Sequence, residues 1–225
     1  MITRVVALVA ARDEADRIGK TATALGRLGP VSEIVVVDDG SRDGTASAAR
    51  AAGAKVMRLE RSRGKGRALE GALRRLPPAD VWLMADGDLA EAAGELGPIL
   101  APVLAGEVDV AIGTFPPGPG GGFGLVKRAA GRAIRALTGL ECQEPLSGQR
   151  ALTRTAMEAV RPLSPGFGLE TAMTIDAARA GLRVVEVPAP LSHRPTFRDL
   201  RGFAHRGRQG FDILRAVLPR ALGLR

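Results

Sequence analysis

The chain has no tyrosine and no asparagine, and it holds one tryptophan, one cysteine and two histidines in 225 residues. Aromatic residues amount to 3 %, too few to build the stacking platforms on which single-stranded nucleic acids bind. A basic nucleic-acid-binding module is therefore disfavoured, although the formal net charge is +8. The lone Cys142 excludes an intramolecular disulfide framework and fits a reducing cytoplasm. It reads as a small packed hydrophobe rather than a nucleophile. No apolar run reaches the roughly 18 residues that a membrane span needs. A strand pattern begins almost at the first residue, without a cleavable signal pattern. A cytoplasmic protein is the expectation.

What is present points to a folded α/β domain. Hydrophobic residues make up 45 % and charged ones 25 %, enough for a sizeable core and against overall disorder. Strand and helix patterns alternate through the first half. Strands are predicted at 4–10, 33–37, 55–59, 80–85 and 108–113, with helices at 13–28, 42–52, 65–76 and 91–104. That alternation implies crossover helices and a mainly parallel central sheet in a single Rossmann-like domain over 1–225. Residues 1–115 form its first half, 116–196 the second, and 197–225 a basic amphipathic tail. The Pro-Gly run 116–122 cannot be regular structure and is expected as a lid over a site. Helices follow at 125–137, 153–160 and 167–180, with a short strand at 183–187. Eight arginines lie after residue 193: Arg194, Arg198, Arg201, Arg206, Arg208, Arg215, Arg220 and Arg225. Interleaved with Phe203, Phe211, Leu214 and Leu218, they suit phosphates or an anionic membrane surface; packing back onto the sheet is the alternative.

Four segments carry chemistry, three of them at strand ends, where ligands sit in open α/β sheets. The β-branched run Ile34–Val37 ends in Asp38-Asp39-Gly40-Ser41. A carboxylate there can accept from a base N–H or ribose hydroxyls, though Asp38 or Ser41 can also cap the next helix. Asp86-Gly87-Asp88 follows a second buried strand and can address a divalent cation and a diphosphate together. Arg61 to Ala68, between strand and helix, offers glycines for close approach to an anion and Lys65 as a point charge. It lacks Walker spacing and can equally be a plain surface loop. Ala10-Ala11-Arg12-Asp13-Glu14 completes the rim at the end of the first strand.

As an ordered set, these segments resemble the family-2 glycosyltransferases. Val36 to Thr45 is similar to their Val-Asp-Asp-Gly-Ser-x-Asp-Gly-Thr motif, Arg63 to Ala68 to their Gly-Lys-Gly-x-Ala loop, and Asp86 to Asp88 to their Asp-x-Asp. Ala10 to Glu14 resembles the Pro-Ala-x-Asn-Glu segment, with Ala for Pro and Asp13 for Asn. In the second half, Pro145 to Leu152 resembles the acceptor-side Ser-Gly-x-Arg segment of polyprenol-phosphate sugar transferases. Gly166 to Glu170 and Leu191 to Arg194 are similar to glucosyl-3-phosphoglycerate synthases.

The resemblance implies that Ala10, Ala11, Glu14, Asp39 and Ser41 contact the nucleoside, and that Lys65 and Asp86 reach the phosphates or donor sugar. Asp88 and His193 would hold Mg²⁺ or Mn²⁺. Ser147, Gly148, Arg150 and Arg194 would bind the acceptor, and Glu170 with Asp86 would stand at the reaction centre. On the residues alone, Glu170 can simply occupy a helix's first turn, His193 can be a surface residue before Pro195, and Ser147 and Arg150 can pin a turn. The Gln-x-x-Arg-Trp motif of processive synthases is absent, which implies transfer of a single sugar. The expected activity is metal-dependent transfer from a nucleotide-diphosphate sugar to a phosphorylated acceptor, phosphoglycerate-like or a polyprenyl phosphate. Peripheral contact with the inner membrane face and self-association are left open. The rival, a sugar nucleotidyltransferase, is disfavoured because no Gly-rich loop follows the first strand directly.

Overall fold

Seven strands form one twisted sheet whose direction reverses at a single interior strand. The computed structural model describes residues 3–114, 124–189 and 200–224, with the backbone alone over 200–210. Strands β1 (Val5–Ala11), β2 (Val31–Asp38), β3 (Lys55–Arg58) and β4 (Val81–Asp86) alternate with helices α1 (Ile18–Gly26), α2 (Thr45–Ala51) and α3 (Lys65–Leu73). A 3₁₀ segment (Ala90–Leu96) leads into α4 (Gly97–Leu104), then β5 (Val110–Thr114) and α5 (Gly124–Thr138). Next come β6 (Arg150–Thr153), α6 (Arg154–Ala159), a 3₁₀ turn (Gly166–Gly168), α7 (Leu169–Arg179), β7 (Val184–Pro188) and α8 (Leu200–Ala221). The strand order is β3-β2-β1-β4-β6-β5-β7. Only β6 runs antiparallel to its neighbours, β4 and β5.

The unbroken apolar strands are buried on both faces, as a parallel sheet covered by helices requires. Side chains alternate at period two. Val5, Ala7, Val9 and Leu83 face Ile18, Leu25, Leu96 and Ile99 on one side. Val6, Leu8, Val37, Trp82 and Met84 face Leu69, Met157, Leu169 and Met173 on the other. Strand β1 pairs β2 on one edge and β4 on the other, with Ala11 opposite Asp38 and Ala10 opposite Asp86. The chain leaves β1 toward one side and returns for β4 on the other, so a crevice opens over these strand ends.

Three sequence expectations are corrected. Helix α1 begins at Ile18 rather than Asp13. Asp13 has φ +54°, and the backbone N–H groups of Asp13, Glu14 and Ala15 donate to Ser41 Oγ, Thr45 Oγ1 and Asp43 Oδ2 instead of starting a helix. The 91–104 helix is split: a 3₁₀ segment entered at Ala90 with φ +52° runs to Leu96, and the α-helical part starts only at Gly97. The segment 145–152, given no strand in the sequence reading, runs into the strand β6. The tail forms the long helix α8 in spite of Gly202, Gly207 and Gly210. The expected lid at 116–122 lies outside the described residues, apart from which no described helix is long and apolar enough to cross a membrane.

Candidate active site

The strand ends of β1, β2 and β4 open into a cavity of about 1000 Å³. Ala10, Ala11, Asp39, Lys65, Asp86 and Glu170 all line it. Six of the residues singled out from sequence thus converge, from three strand ends, a helix start and a second-half helix. Glu14, Ser41, Asp88, Ser147, Gly148 and Arg150 are not on its wall. His193 and Arg194 lie outside the described residues.

At the end of β2 the two carboxylates divide their tasks. Asp38 is fully buried and its Oδ1 accepts from the Ser41 N–H at 2.8 Å and from the Ser41 hydroxyl, which closes the turn. Gly40 sits in that turn at φ +71°, and a Cβ there would lie 2.6 Å from the Arg61 carbonyl carbon. Both facts demand glycine. Asp43, rather than Asp38 or Ser41, meets the start of α2, accepting from the Thr45 N–H at 3.0 Å. Asp39 faces the cavity and braces the loop ahead of α3. Its Oδ1 accepts from Arg63 N at 2.7 Å, and its Oδ2 from Ser62 Oγ at 2.7 Å and Gly64 N at 2.9 Å. Ser41 is buried, with its hydroxyl engaged by Asp38 and Asp13.

The centre of the cavity is a charge cluster. Lys65, the first residue of α3, places Nζ 2.6 Å from Asp86 Oδ1 and 2.9 Å from Glu170 Oε1. Burial opposes the lysine's charge, but the two carboxylates outweigh it and hold its pKa above the ordinary range. The side chain keeps 28 % of its surface exposed, so the ammonium still reaches the cavity. Glu170 lies in the first turn of α7, where the helix dipole favours its charge, and it also lines the cavity. Its Oε2 has no partner among the described residues.

Because β6 runs backwards, its start lies at the same rim as the ends of β4 and β5. Met84 pairs with Arg150, which brings Gly148 and Gln149 beside Asp86. Gln149 Nε2 donates to Asp86 Oδ2 at 2.9 Å. A Cβ on Gly148 would lie 2.6 Å from Asp86 Oδ2 and 2.7 Å from Lys65 Nζ, so only glycine lets this backbone lie against the cluster. Arg150 itself is fully buried, donating to Ser147 O at 2.8 Å and Thr174 Oγ1 at 2.9 Å. Burial pushes its pKa down, against the pull of Glu170. It ties the 147–149 turn to α7.

Sequence reading did not single out Gln149 or Asp212. Gln149 stands inside the quoted Ser-Gly-Gln-Arg segment, and its signal was adjacency to the glycine. Asp212, on α8, lines the cavity and accepts from Phe167 N at 3.1 Å; nothing in its sequence surroundings marks it. Arg220, counted among the surplus cations, is 2 % exposed and forms a two-pronged pair with Asp176 of α7. Cys142 donates to Glu186 at 3.3 Å, and burial together with that carboxylate pushes its thiol up to about 12, which leaves it an inert, protonated group.

Among the described residues no three His, Cys, Asp or Glu side chains converge to hold a metal. The Asp88 carboxylate, half-buried just past β4, has no hydrogen-bond or ion-pair partner among them. A single free carboxylate at a strand end suits Mg²⁺ or Mn²⁺, which take oxygen ligands and leave positions for substrate phosphates.

The sequence model of "Glycosyl transferase family 2" matches residues 7–157. The chain is 32 % identical over 172 residues to "Glycosyltransferase AglJ" of Haloferax volcanii, covering 75 % of this chain and 56 % of the relative. It is 33 % identical over 201 residues to the glucosyl-3-phosphoglycerate synthase of Mycolicibacterium paratuberculosis, covering 78 % and 60 %. The chain therefore spans little more than half the length of these curated relatives. Among solved structures, the Mycobacterium tuberculosis glucosyl-3-phosphoglycerate synthase in complex with Mg²⁺ and uridine diphosphate superposes with a TM-score of 0.81 at 27 % identity, over 97 % of this chain and 79 % of that one. The same enzyme in complex with Mn²⁺, uridine-diphosphate-glucose and phosphoglyceric acid gives 0.79 at 28 % identity, over 97 % and 79 %. By sequence over most of its length, the chain belongs to glycosyl transferase family 2.

Proposed function

We propose that the protein is a metal-dependent glycosyltransferase that moves one sugar from a nucleotide-diphosphate donor to a phosphorylated acceptor. One observation carries the reading. Lys65 joins Asp86, at a sheet rim built for a nucleotide, to Glu170, on a helix of the second half, within one cavity. A relative solved with Mn²⁺, uridine-diphosphate-glucose and phosphoglyceric acid supports that pairing of donor and acceptor, so a uridine-diphosphate sugar and a small phosphorylated acid are the first substrates of choice. The family match favours glycosyl transfer over nucleotidyl transfer.

In this reading Asp39 receives the nucleoside, with Ala10 and Ala11 as the floor and Glu14 and Ser41 shaping the loops around it. Asp88, together with His193, would hold Mg²⁺ or Mn²⁺, which when bound neutralises charge on the leaving diphosphate. Lys65, held cationic by its two carboxylates, supplies a second fixed positive charge there. Asp86 fixes that ammonium and faces the donor sugar. Glu170 has one oxygen on Lys65 and the other free, so Oε2 is the atom that takes the acceptor proton if the reaction inverts, or orients the acceptor if it retains. Ser147, Gly148, Arg150 and Arg194 belong to the acceptor side, Arg150 by pinning the turn. Location in the cytoplasm is part of the proposal.

A second acceptor reading rests on α8. Phe211, Leu214 and Leu218 are 58 %, 57 % and 50 % exposed, at spacings that place them on one helix face, with Arg215 5.9 Å over the Phe211 ring. An exposed apolar and basic face suits an anionic membrane surface and a polyprenyl phosphate. Sedimentation with anionic vesicles separates the two acceptors.

The test of the function is turnover of a uridine-diphosphate-sugar panel with Mn²⁺ and 3-phosphoglycerate. Release of nucleoside diphosphate with a glycosylated product is expected, and Asp88→Ala should abolish the gain in nucleoside-diphosphate affinity that Mn²⁺ provides. Release of pyrophosphate, or an unchanged response of Asp88→Ala to Mn²⁺, would contradict it.

A further inference from the structure

A second cavity, of about 620 Å³, is lined by residues of β3, of α3 and of the loop that Asp39 braces. Five arginines line it: Arg58 from β3, Arg61 and Arg63 from the loop, Arg67 from α3 and Arg75 just beyond that helix. One acid, Glu60, stands among them. Arg58 is engaged, donating to Ser41 O at 2.9 Å and lying 3.5 Å from Asp38 Oδ2. The guanidinium groups of Arg61, Arg63, Arg67 and Arg75 have no hydrogen-bond or ion-pair partner among the described residues. Like charges gathered round one concavity repel each other, and an anion placed between them relieves that repulsion. The planar fork of a guanidinium matches two phosphate oxygens at once.

We propose that this groove binds a small molecule carrying two or more phosphate groups, at a site separate from the donor cleft. The volume lies in the range of small-ligand pockets, roughly 300–1,000 Å³, and one orthophosphate would leave most of it and most of the arginines unused. The groove offers Met57 and Leu59 rather than any aromatic side chain, so it lacks what stacks nucleic-acid bases. Arg63 and Arg67 line both cavities, whereas Arg58, Arg61 and Arg75 line only this one.

The test is calorimetric titration of the whole chain with inorganic triphosphate, in chelator and without divalent ions, so that metal-dependent binding in the cleft is suppressed. Arg61→Gln/Arg75→Gln removes two exposed charges from the groove alone. Arg12→Gln/Arg215→Gln removes the same charge from exposed residues that line the cleft alone. The wild type should bind saturably. The groove variant should bind about tenfold or more weakly, and the cleft variant within about twofold of wild type, the first being the scale of lost charge-assisted contacts. Thermal melting of both variants checks that the fold is intact. Absence of saturable binding, equal losses in the two variants, or a loss confined to the cleft variant would overturn the proposal. Tighter binding of a short single-stranded RNA than of triphosphate, lost in the same groove variant, would overturn the small-ligand assignment.

Discussion

The two walls of the cleft are built by different means. The first-half wall is made of strand ends. Asp39 and Asp86 stand where β2 and β4 stop, placed by the register of a buried parallel sheet. The second-half wall is made of interlocks: a reversed strand that brings Gly148 and Gln149 against Asp86, a helix start that carries Glu170, and α8 fastened by a buried arginine. A wall of strand ends inherits its precision from the sheet and should hold even when a single contact is lost. A wall of interlocks depends on particular pairs, and breaking one should disturb the acceptor side while the nucleotide side survives.

The largest effect is expected from Arg220→Ala. It removes the two-pronged guanidinium contact through which α8 is fastened to Asp176 of α7. Removing one member of a buried pair costs about 3–5 kcal/mol. Chemical denaturation should show that loss of stability, while binding of nucleoside diphosphate to the remaining folded protein is unchanged. A loss of both alike would erase the distinction between the walls.

Lys65→Met removes the charged group that joins Asp86 of one wall to Glu170 of the other. A fixed charge lost from a reaction centre costs roughly 10²–10³ in kcat, and steady-state kinetics should show a fall of that size. A variant retaining most of its turnover would mean that the ammonium only neutralises its two carboxylates.

Asp39→Ala probes the strand-end wall. Its carboxylate holds three donors of the loop and faces the cavity. Hydrogen bonds to a charged group are worth roughly 1.5–3 kcal/mol, so nucleoside affinity should fall about tenfold to a hundredfold, measured by calorimetry. The sheet should stay folded, and a variant that unfolds instead would make Asp39 purely structural.

The smallest effect is one of pH. Glu70, on α3, accepts from Arg161 and from the Leu163 N–H, linking the first-half wall to the second. Burial would raise its pKa, but the Arg161, Leu163 and Arg74 donors outweigh burial and hold it below the usual carboxylate range. Arg183 likewise holds Asp109 below the usual carboxylate range, through its own guanidinium and N–H donors. Folded values below the unfolded ones mean stability that is complete above the unfolded pKa and lost as pH falls through the folded one. Melting temperature should therefore be level from neutral pH down to about 5 and drop below it. In Glu70→Gln that acid-side drop should be smaller, and an unaltered profile would remove Glu70 from the link.

The same contrast decides what could be read from sequence. The parallel strands announce themselves as apolar runs such as Ile34–Val37, and each ends in the carboxylates that matter. The fold class and the cleft positions of Asp39, Lys65 and Asp86 followed from local pattern. Strand β6 did not, because four residues beginning with a buried arginine carry no strand signature, and its pairing with β4 is remote in sequence. Gln149 and Asp212 were missed for that reason: each acquires its role from a partner across the fold. That the Ser41 hydroxyl is engaged by Asp38 was not legible either, because a hydroxyl's occupancy is invisible until its neighbours are placed. Arg220 looked like surface charge and is a clamp, because its helix face was indistinguishable from the others.

The central claim is that donor recognition and acceptor chemistry sit on different walls that meet at Lys65. Glu170→Gln tests it most directly, with donor affinity measured by calorimetry and turnover by nucleoside-diphosphate release on the same preparation. Glutamine keeps the shape and the contact with Lys65 but cannot take a proton. The account predicts donor affinity within about twofold of wild type and a loss of kcat of roughly 10²–10⁴, the worth of a positioned general base. Unchanged turnover, or a fall in donor affinity as large as the fall in kcat, would contradict it.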